Sequence, residues 1–484
     1  MGSDQNVAVK HLLSPIAIAL ALSGCASQSL LPASLPDTPV PSQWSTQPQA
    51  LPTEGVPSLV EWWQRFNDPQ LTALVSQGLL RNTSVRAAQA ALQQSRAMRD
   101  AKSAGMSPRV GGSASVQTSR SDSNDATDSF QLGFDASWEP DVFGGKRSAL
   151  RAADADLQGA QASLAQVQVS MAAEIAVTYI EVRGLQARLA IARSNLAAQT
   201  ETLQITQWRT QAGLVSALDV EQAVAAKEQT AAQIPALSSS LAQSISSLAV
   251  LTGQAPGALQ SSLNADSSRT VDIAAAAIPQ APAALAVAIP AQTLRQRPDI
   301  RAAEYRITTA LSQVAQADAA RYPSFQISGS LGLRALTLGA LTNGASLLQS
   351  ILAGVSVPLF DGGAARAQVR VQEAGLEQAR VAYEATVLQA LKDVEDALVA
   401  LQNDSERASR LQAAATAAAN ADRMARQRYA SGLIDFRAVL DAQRTVLSTQ
   451  DSVASTRATL SADHVRLYKA LGGGWTPEND TSAQ

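Results

Sequence analysis

Two periodicities divide the chain. Residues 145–213 contain no proline, and apolar positions recur every seventh residue there: Leu150, Leu157, Leu164 and Met171, then, after a shift of four, Ile175, Val182, Leu189, Leu196 and Leu203. This spacing predicts a long helix wound into a left-handed supercoil. Gly159 and Gly184 are the only glycines in its interior. In the C-terminal half Val387, Val394 and Leu401 repeat the spacing beside Leu391 and Leu398. At about 1.5 Å per residue the first rod would extend roughly 100 Å, and it is too dotted with Gln, Arg, Asp and Glu to lie in a bilayer.

After Pro108 and again after Pro323 the pattern becomes an alternation. Phe130, Leu132, Phe134, Ala136 and Trp138 alternate with Gln131, Gly133, Asp135 and Ser137, and Phe325, Ile327, Gly329, Leu331 and Leu333 alternate with Gln326, Ser328, Ser330 and Gly332. Ile351, Ala353, Val355, Val357 and Leu359 predict a third such strand, and residues 110–118 a weaker fourth. Strands of this length, apolar on one side and polar on the other, suit a transmembrane β-barrel with a wet lumen. The polar loops 120–128 and 335–345 would then be extracellular. Four strands cannot close a barrel, and open edges are not tolerated in hydrocarbon, so several copies must share one. Three copies would give twelve strands, an even number within the range of known barrels. A soluble pair of hairpins is the alternative. The Phe-Gly corners at residues 143–145 and 360–363 join rod to strand, so a helical tube coaxial with the barrel is expected.

The design is written twice. Val85-Arg86-Ala87-Ala88 returns as Ile300-Arg301-Ala302-Ala303 about 215 residues on, and Pro108, Ser113 and Ser115 return at the same offset as Pro323, Ser328 and Ser330. Val142-Phe143-Gly144-Gly145 returns as Leu359-Phe360-Asp361-Gly362-Gly363, Ala212-Gly213-Leu214-Val215 as Ser431-Gly432-Leu433-Ile434, and Leu251-Thr252-Gly253 as Leu471-Gly472-Gly473. Duplicated units packed side by side imply a tubular object rather than a pocket enzyme.

Composition narrows the function classes. A net charge of −3 leaves no basic stripe for nucleic acid. Aromatics make up 4% of the chain, and the rod segments are rich in Ala, Gln, Leu, Ser, Arg and Val, which suits helices packed through small side chains. Cys25 is the only cysteine, so disulfides and CxxC metal sites are excluded. His464 stands beside Asp463 in a C-terminal helical pattern that reads as a solvated face rather than as part of a catalytic triad. No GxGxxG, GxxxxGK or HExxH pattern occurs. Neither enzymatic activity nor a metal or other cofactor is expected.

Lys10 and His11 precede an apolar run, residues 12–22, too short for a stable span and suited to a secretory signal. It ends in Leu22-Ser23-Gly24-Cys25, which resembles a lipobox and predicts a covalent lipid on Cys25. A buried cysteine at a signal-peptide end is the plainer alternative. Ala26 rather than Asp follows, which resembles an outer-membrane address in bacterial lipoproteins. Seven prolines from Pro32 to Pro57 predict an extended tether.

Trp62-Trp63-Gln64-Arg65-Phe66-Asn67-Asp68-Pro69, Trp138-Glu139-Pro140-Asp141-Val142-Phe143-Gly144, Arg297-Pro298-Asp299-Ile300-Arg301-Ala302-Ala303, Pro358-Leu359-Phe360-Asp361-Gly362-Gly363 and Leu440-Asp441-Ala442-Gln443-Arg444 occur in order. In these segments the chain resembles the outer membrane factor family of TolC and OprM type, in its lipoprotein branch serving RND efflux pumps, from Cys25 to Trp475. The resemblance implies an α+β membrane protein, a homotrimer with a 12-stranded transmembrane β-barrel, four strands per protomer, continued by a long periplasmic α-helical barrel. It implies an exit channel in the bacterial outer membrane, partnered by a periplasmic adaptor and an inner-membrane RND transporter and conducting drugs and other small toxic compounds passively. A type I protein secretion conduit and a non-transport coiled-coil lipoprotein are the alternatives.

By the same resemblance the closed tip lies where the long helices turn, at Gly213-Leu214-Val215-Ser216 and Gly432-Leu433-Ile434-Asp435, with Gly213, Leu214, Gly432 and Leu433 toward the adaptor. Asp441 matches an aspartate ring that narrows the bore, and Arg444, one turn later, would hold it. Tyr429 matches a tyrosine that tethers one hairpin to its neighbour, and Asp219 a carboxylate it can engage. Arg437 departs from the pattern, standing where relatives place a bulky apolar constriction. A helix-surface ion pair for Asp441 and Arg444, and a core aromatic for Tyr429, remain the plainer readings.

The expected division is a signal peptide (1–24), a lipidated Pro-rich tether (25–57), helices of the first repeat (58–106), a β-hairpin (107–140), long coiled-coil helices (141–253), an equatorial linker (254–291), a helix of the second repeat (292–322), the second β-hairpin (323–360), its coiled-coil helices (361–471) and a C-terminal tail (472–484).

Overall fold

The computed structural model describes residues 35–36, 39–45, 59–120, 127–264, 278–281, 294 and 296–475. The signal, Cys25 and most of the Pro-rich tether and of the equatorial linker lie outside the described residues, as do residues 121–126 of the first hairpin loop.

The order of elements repeats itself. A 3-10 turn at Trp62–Phe66 leads into α1 (Pro69–Arg81) and α2 (Thr83–Ala104), then β1 (Arg109–Ser119), β2 (Thr127–Trp138), α3 (Gly145–Gln211) and α4 (Ala217–Leu251). After the short α5 (Gln260–Asn264), the second copy runs through α6 (Pro298–Ala319), β3 (Ser324–Ala335), β4 (Ser346–Ser356), α7 (Ala364–Ala430) and α8 (Phe436–Ala470). The long arms are 67 residues in both copies and the return arms 35 in both. Equal arm lengths in the two copies are what duplication of one packing unit requires. Length and hydropathy alone would let α4 cross a membrane. Its counterpart α8, however, carries Arg437, Asp441, Arg444, Asp451 and Arg457, and duplicated arms share one environment.

The residues fall into two compact units, each drawing on both copies. One contains residues 91–161 and 301–385 and holds the sheet, a four-stranded antiparallel meander in the order β1-β2-β3-β4. Small residues let its helices approach closely: a Cβ on Gly145 would stand 3.3 Å from that of Ala319. Thr309 Oγ1 in α6 donates to Asp156 in α3 at 2.8 Å. Phe143, Tyr322 and Phe325 stack where strands give way to helices, with ring centroids 5.0 and 6.4 Å apart.

Strand β4, expected around Ile351 to Leu359, differs from expectation. It spans Ser346–Ser356, so Val357 and Leu359 lie beyond it. Pro358 has no N–H to add to the ladder and ends it, while Gln349, polar among apolar partners, hides the alternation that begins at Leu347.

The second unit holds residues 162–300 and 386–475 together with the helix α1 region. Its core is aromatic at one place: Trp62 stacks on Tyr468 at 5.3 Å, with Phe66 edge-on. Asp68 caps α1 by accepting from Gln70 N and Leu71 N, and its other oxygen accepts from Tyr179 at 2.8 Å. Elsewhere helix meets helix through small residues, as the composition suggested. A Cβ on Gly184 would come within 2.8 Å of the Ala458 Cβ, so α3 and α8 touch at backbone distance. The heptad positions Met171, Ile175, Val182, Leu189, Val387, Val394, Leu391 and Leu398 are buried.

Candidate functional site

The sheet has two chemically distinct faces, and the pairing decides which residues share them. Directly opposed residues point to the same side. Phe134 lies opposite Gly112 and Leu331, and Leu331 opposite Gln349; Ala136 lies opposite Val110 and Gly329, and Gly329 opposite Ile351. Carried along the strands, this gathers Val110, Val116, Phe130, Leu132, Phe134, Trp138, Phe325, Ile327, Leu331, Leu333, Leu347, Ile351 and Val355 on one side. The other side takes Ser113, Ser115, Gln117, Gln131, Asp135, Ser137, Arg334, Ser330, Ser328, Gln326 and Ser350. Ser113 donates to Asp135 at 2.8 Å and Ser330 bonds Ser350 at 2.8 Å across the polar side.

The apolar side is bare within the chain. Ile351 is 88% exposed and Phe134 64%. An apolar surface of this size on a protein in water marks a membrane or partner surface. Both β1 and β4 are exposed along their length and end the sheet without a neighbour.

In the second unit the two turns between long helices follow one backbone design. Gly213 and Gly432 both adopt φ of +72°, and a Cβ at either would meet nothing, so the left-handed backbone alone calls for glycine. Leu214 N donates to Arg209 O at 2.8 Å and Leu433 N to Arg428 O at 2.9 Å, the closing bonds of a Schellman motif. Return helix α4 starts with a capping box: Ser216 Oγ accepts from Asp219 N, while Asp219 Oδ2 accepts from Ser216 N at 3.0 Å and from Ser216 Oγ at 2.9 Å. In α8 Asp435 alone caps, accepting from Ala438 N at 3.0 Å.

The turns pack together. Tyr429, Phe436, Val439 and Leu440 of the second copy form a buried cluster with Ala223 and Ala226 of the first, flanked by Leu203, Val215, Ala425 and Ile434. Arg209, a residue the sequence did not single out, ties them: its guanidinium donates to Tyr429 O and Ala430 O, both at 3.1 Å, and lies 4.5 Å from the Tyr429 ring centroid. It thereby gives Ala430 O a donor at the end of α7, and Tyr429 O a second donor beside Gly432 N. A basic residue in the last turn of α3 was the available signal; the partner helix was not visible from it.

The expected gate residues fall as follows. Asp441 and Arg444 are 3.8 Å apart, with side chains more than half exposed. Arg437 and Asp435 are exposed, and Arg437 precedes Asp441 by one turn, so an arginine stands on each side of that carboxylate. Tyr429 is buried at 8% exposure, and its hydroxyl has no hydrogen-bond partner among the described residues. Asp219 is committed to Ser216, so within one chain it does not engage Tyr429. Leu214 and Leu433 are exposed at 71% and 73%, at the outer corners of the turns.

Asp463 and His464 overturn the expectation of a solvated face, being 1% and 8% exposed. The face of α8 that carries them packs inward with Val465, Leu467 and Tyr468. Burial pushes the Asp463 carboxyl up to about 6, with Asp404 adding to the rise and Arg466, 2.5 Å away, opposing it. Burial also lowers His464.

Over residues 74–254 and 289–473 the sequence matches the family described as outer membrane efflux protein. The toluene efflux pump outer membrane protein TtgF of Pseudomonas putida is 31% identical, with 96% of this chain and 97% of TtgF aligned. The cation efflux system protein CusC of Escherichia coli is 28% identical over 96% of this chain and 98% of its own. Among solved structures, the outer-membrane channel OprN superposes with a TM-score of 0.79 at 34% identity, covering 92% of this chain and all of that one. The open-state MtrE outer membrane channel of Neisseria gonorrhoeae superposes with a TM-score of 0.80 at 25% identity, covering 91% and 97%. A sheet made for hydrocarbon on one face, duplicated helical arms and near full-length similarity to efflux channels have one common explanation: the chain belongs to the outer membrane efflux protein family.

Proposed function

We propose that this protein acts as a homotrimeric exit duct, anchored through a lipid on Cys25, that joins a periplasmic adaptor to an inner-membrane RND transporter and passively conducts drugs and other small toxic compounds to the exterior. One observation carries the reading: a four-stranded sheet with an apolar face, a polar face and two unpaired edges. In hydrocarbon each unpaired backbone group costs several kcal/mol, so such a sheet is stable only when its edges pair with further copies and the barrel closes. Three copies would supply twelve strands, with the polar sides around the lumen. The toluene, cation and antibiotic efflux systems named among the relatives support the transport role and the wider assembly.

Asp441 from each copy would narrow the periplasmic end, flanked by Arg437 and Arg444, while Tyr429 and Asp219 link neighbouring hairpins and Asp435 caps the turn beside them. Gly213, Leu214, Gly432 and Leu433, at the exposed corners, would meet the adaptor. Each bond is worth only about 0.5 to 3 kcal/mol, so a docking protein could loosen the set.

Planar bilayers test the reading. Purified protein should give discrete channel currents that rise when Asp441→Ala removes the ring; absence of conductance would refute the duct, and an unchanged current would remove Asp441 from the gate. Metabolic labelling with palmitate should mark the wild type and not Cys25→Ser, and label persisting in the variant would refute the anchor.

A further inference from the structure

The polar face of the sheet is not uniform. Its rows, fixed by the strand pairing, set Arg334 opposite Gln131 and Ser346, Leu348 opposite Gly332, Asp135 opposite Gly111 and Ser330, Leu352 opposite Ser328, and Arg109 opposite Ser137. The face thus carries two guanidinium groups, one carboxylate and two leucines among serines, glutamines and glycines.

The charges do not cancel. Asp135 accepts a hydrogen bond from Ser113 and lies one row from Arg109, which it offsets. Arg334 is exposed, has no ion-pair partner among the described residues, and shares its row only with neutral residues. An arginine on the lipid side at mid-bilayer would cost about 2 to 4 kcal/mol, whereas on the lumen side it keeps its water. Each protomer therefore brings a net positive charge to the lumen side of the sheet, and low-dielectric walls focus such a field along the bore.

One leucine stands beside that charge, and the other lies two rows further along the same face. Leu348 is two residues beyond Ser346, the partner of Arg334, which makes it a diagonal neighbour at about 7 to 8 Å. Its row continues through Gly332 and Gly133, which have no side chains to cover it. These glycines are fixed by close backbone approach: a Cβ on Gly332 would stand 2.8 Å from Leu132 O, and one on Gly133 3.0 Å from Leu331 O. Leu348 and Leu352 remain 39% and 65% exposed.

Resting on the channel reading above, we propose that the barrel lumen favours organic anions with an apolar body, the anionic group held briefly at the Arg334 guanidinium and the body lying along Leu348 toward Leu352, which stands beyond Ser350. Arginine rings are a known means of anion preference in pores, and lumen side chains of outer-membrane barrels tune selectivity.

Reversal potentials across a KCl gradient in planar bilayers, in wild type and in an Asp441→Ala background, test the charge. The wild type should favour chloride, Arg334→Gln should shift the reversal potential toward potassium, and Arg334→Lys, keeping the charge, should not. On the same channels octanesulfonate should block more strongly than methanesulfonate, and Leu348→Ser with Leu352→Ser should remove the difference while leaving the KCl reversal potential in place. A reversal potential unmoved by Arg334→Gln, or equal block by the two sulfonates in the wild type, would overturn the proposal. Absence of any current would instead overturn the channel reading and this inference with it.

Discussion

The two helix turns are copies of one backbone with different side chains. Both follow a 67-residue arm, both use glycine at φ of +72°, and both start a 35-residue return arm. The first is closed by short-range polar bonds between Ser216 and Asp219. The second is closed by packing: Tyr429 rests on Phe436 with ring centroids 5.4 Å apart, and Arg209 reaches over from the first copy. Arg428 stands at the same place in the second copy as Arg209 in the first, yet its side chain is exposed and makes no hydrogen bond or ion pair among the described residues. Duplication therefore preserved the path of the chain while the bonds that hold it became unequal. A turn capped by its own residues is set locally, whereas one held from outside can be released from outside.

The largest expected effect tests that asymmetry. Arg209→Ala removes two carbonyl contacts and a cation–π contact, worth about 2 to 4 kcal/mol together. Hydrogen exchange should quicken around residues 425–440, while Arg428→Ala leaves the protection of residues 206–220 unchanged within a single chain. Equal loss in both would erase the distinction.

A pH dependence should follow from a second difference between the copies. Counted from the first residues of the two equal return arms, Ala217 and Phe436, Asp463 is buried where the first copy holds Ser244, and its carboxyl is pushed up to about 6. The folded state then retains a proton that the unfolded chain has lost, so this group lowers stability as pH rises from about 4 through about 6, above which its effect is constant. Asp463→Ser, which imports the residue of the first copy, should flatten the melting temperature over that range and raise it at neutral pH. A pH profile unchanged by the substitution would count against the assignment.

Smaller changes separate the caps. Ser216→Ala should cost about 1 kcal/mol, because it breaks one half of a reciprocal box, and Asp435→Ala a similar or smaller amount. Chemical denaturation of both variants measures the difference. Smallest of all should be the effect of Asp441→Ala on protomer stability, below about 1 kcal/mol for an exposed pair at 3.8 Å. The same denaturation curves decide it; a loss as large as that of Arg209→Ala would mean that the pair holds the helix rather than the bore.

Periodicity carried most of the architecture because both element types here are one-sided. Heptads need only local spacing to predict α3 and α7, and alternation did the same for β2 and β3. Strand β4 was shifted because its limits depend on which residues of β3 it meets and on Pro358, not on its own apolar count. Asp463 and His464 looked solvated because a charged pair in a helix reads as surface until the packing partner is known; their burial comes from long-range contacts of α8. Arg209 escaped notice for the same reason, since its partners lie about 220 residues away in the second copy. The proposed gate positions came from resemblance. Within one chain the structure groups Tyr429 with the turn core and sets Asp219 in a cap, which leaves their roles to contacts between copies.

Those contacts decide the account, and the mass of the detergent-solubilised assembly by native mass spectrometry measures them most directly. The unpaired edges of β1 and β4 predict a species of three chains that persists in detergent. A folded single chain as the predominant species, with the apolar sheet face of Phe134 and Ile351 still bare, would contradict it.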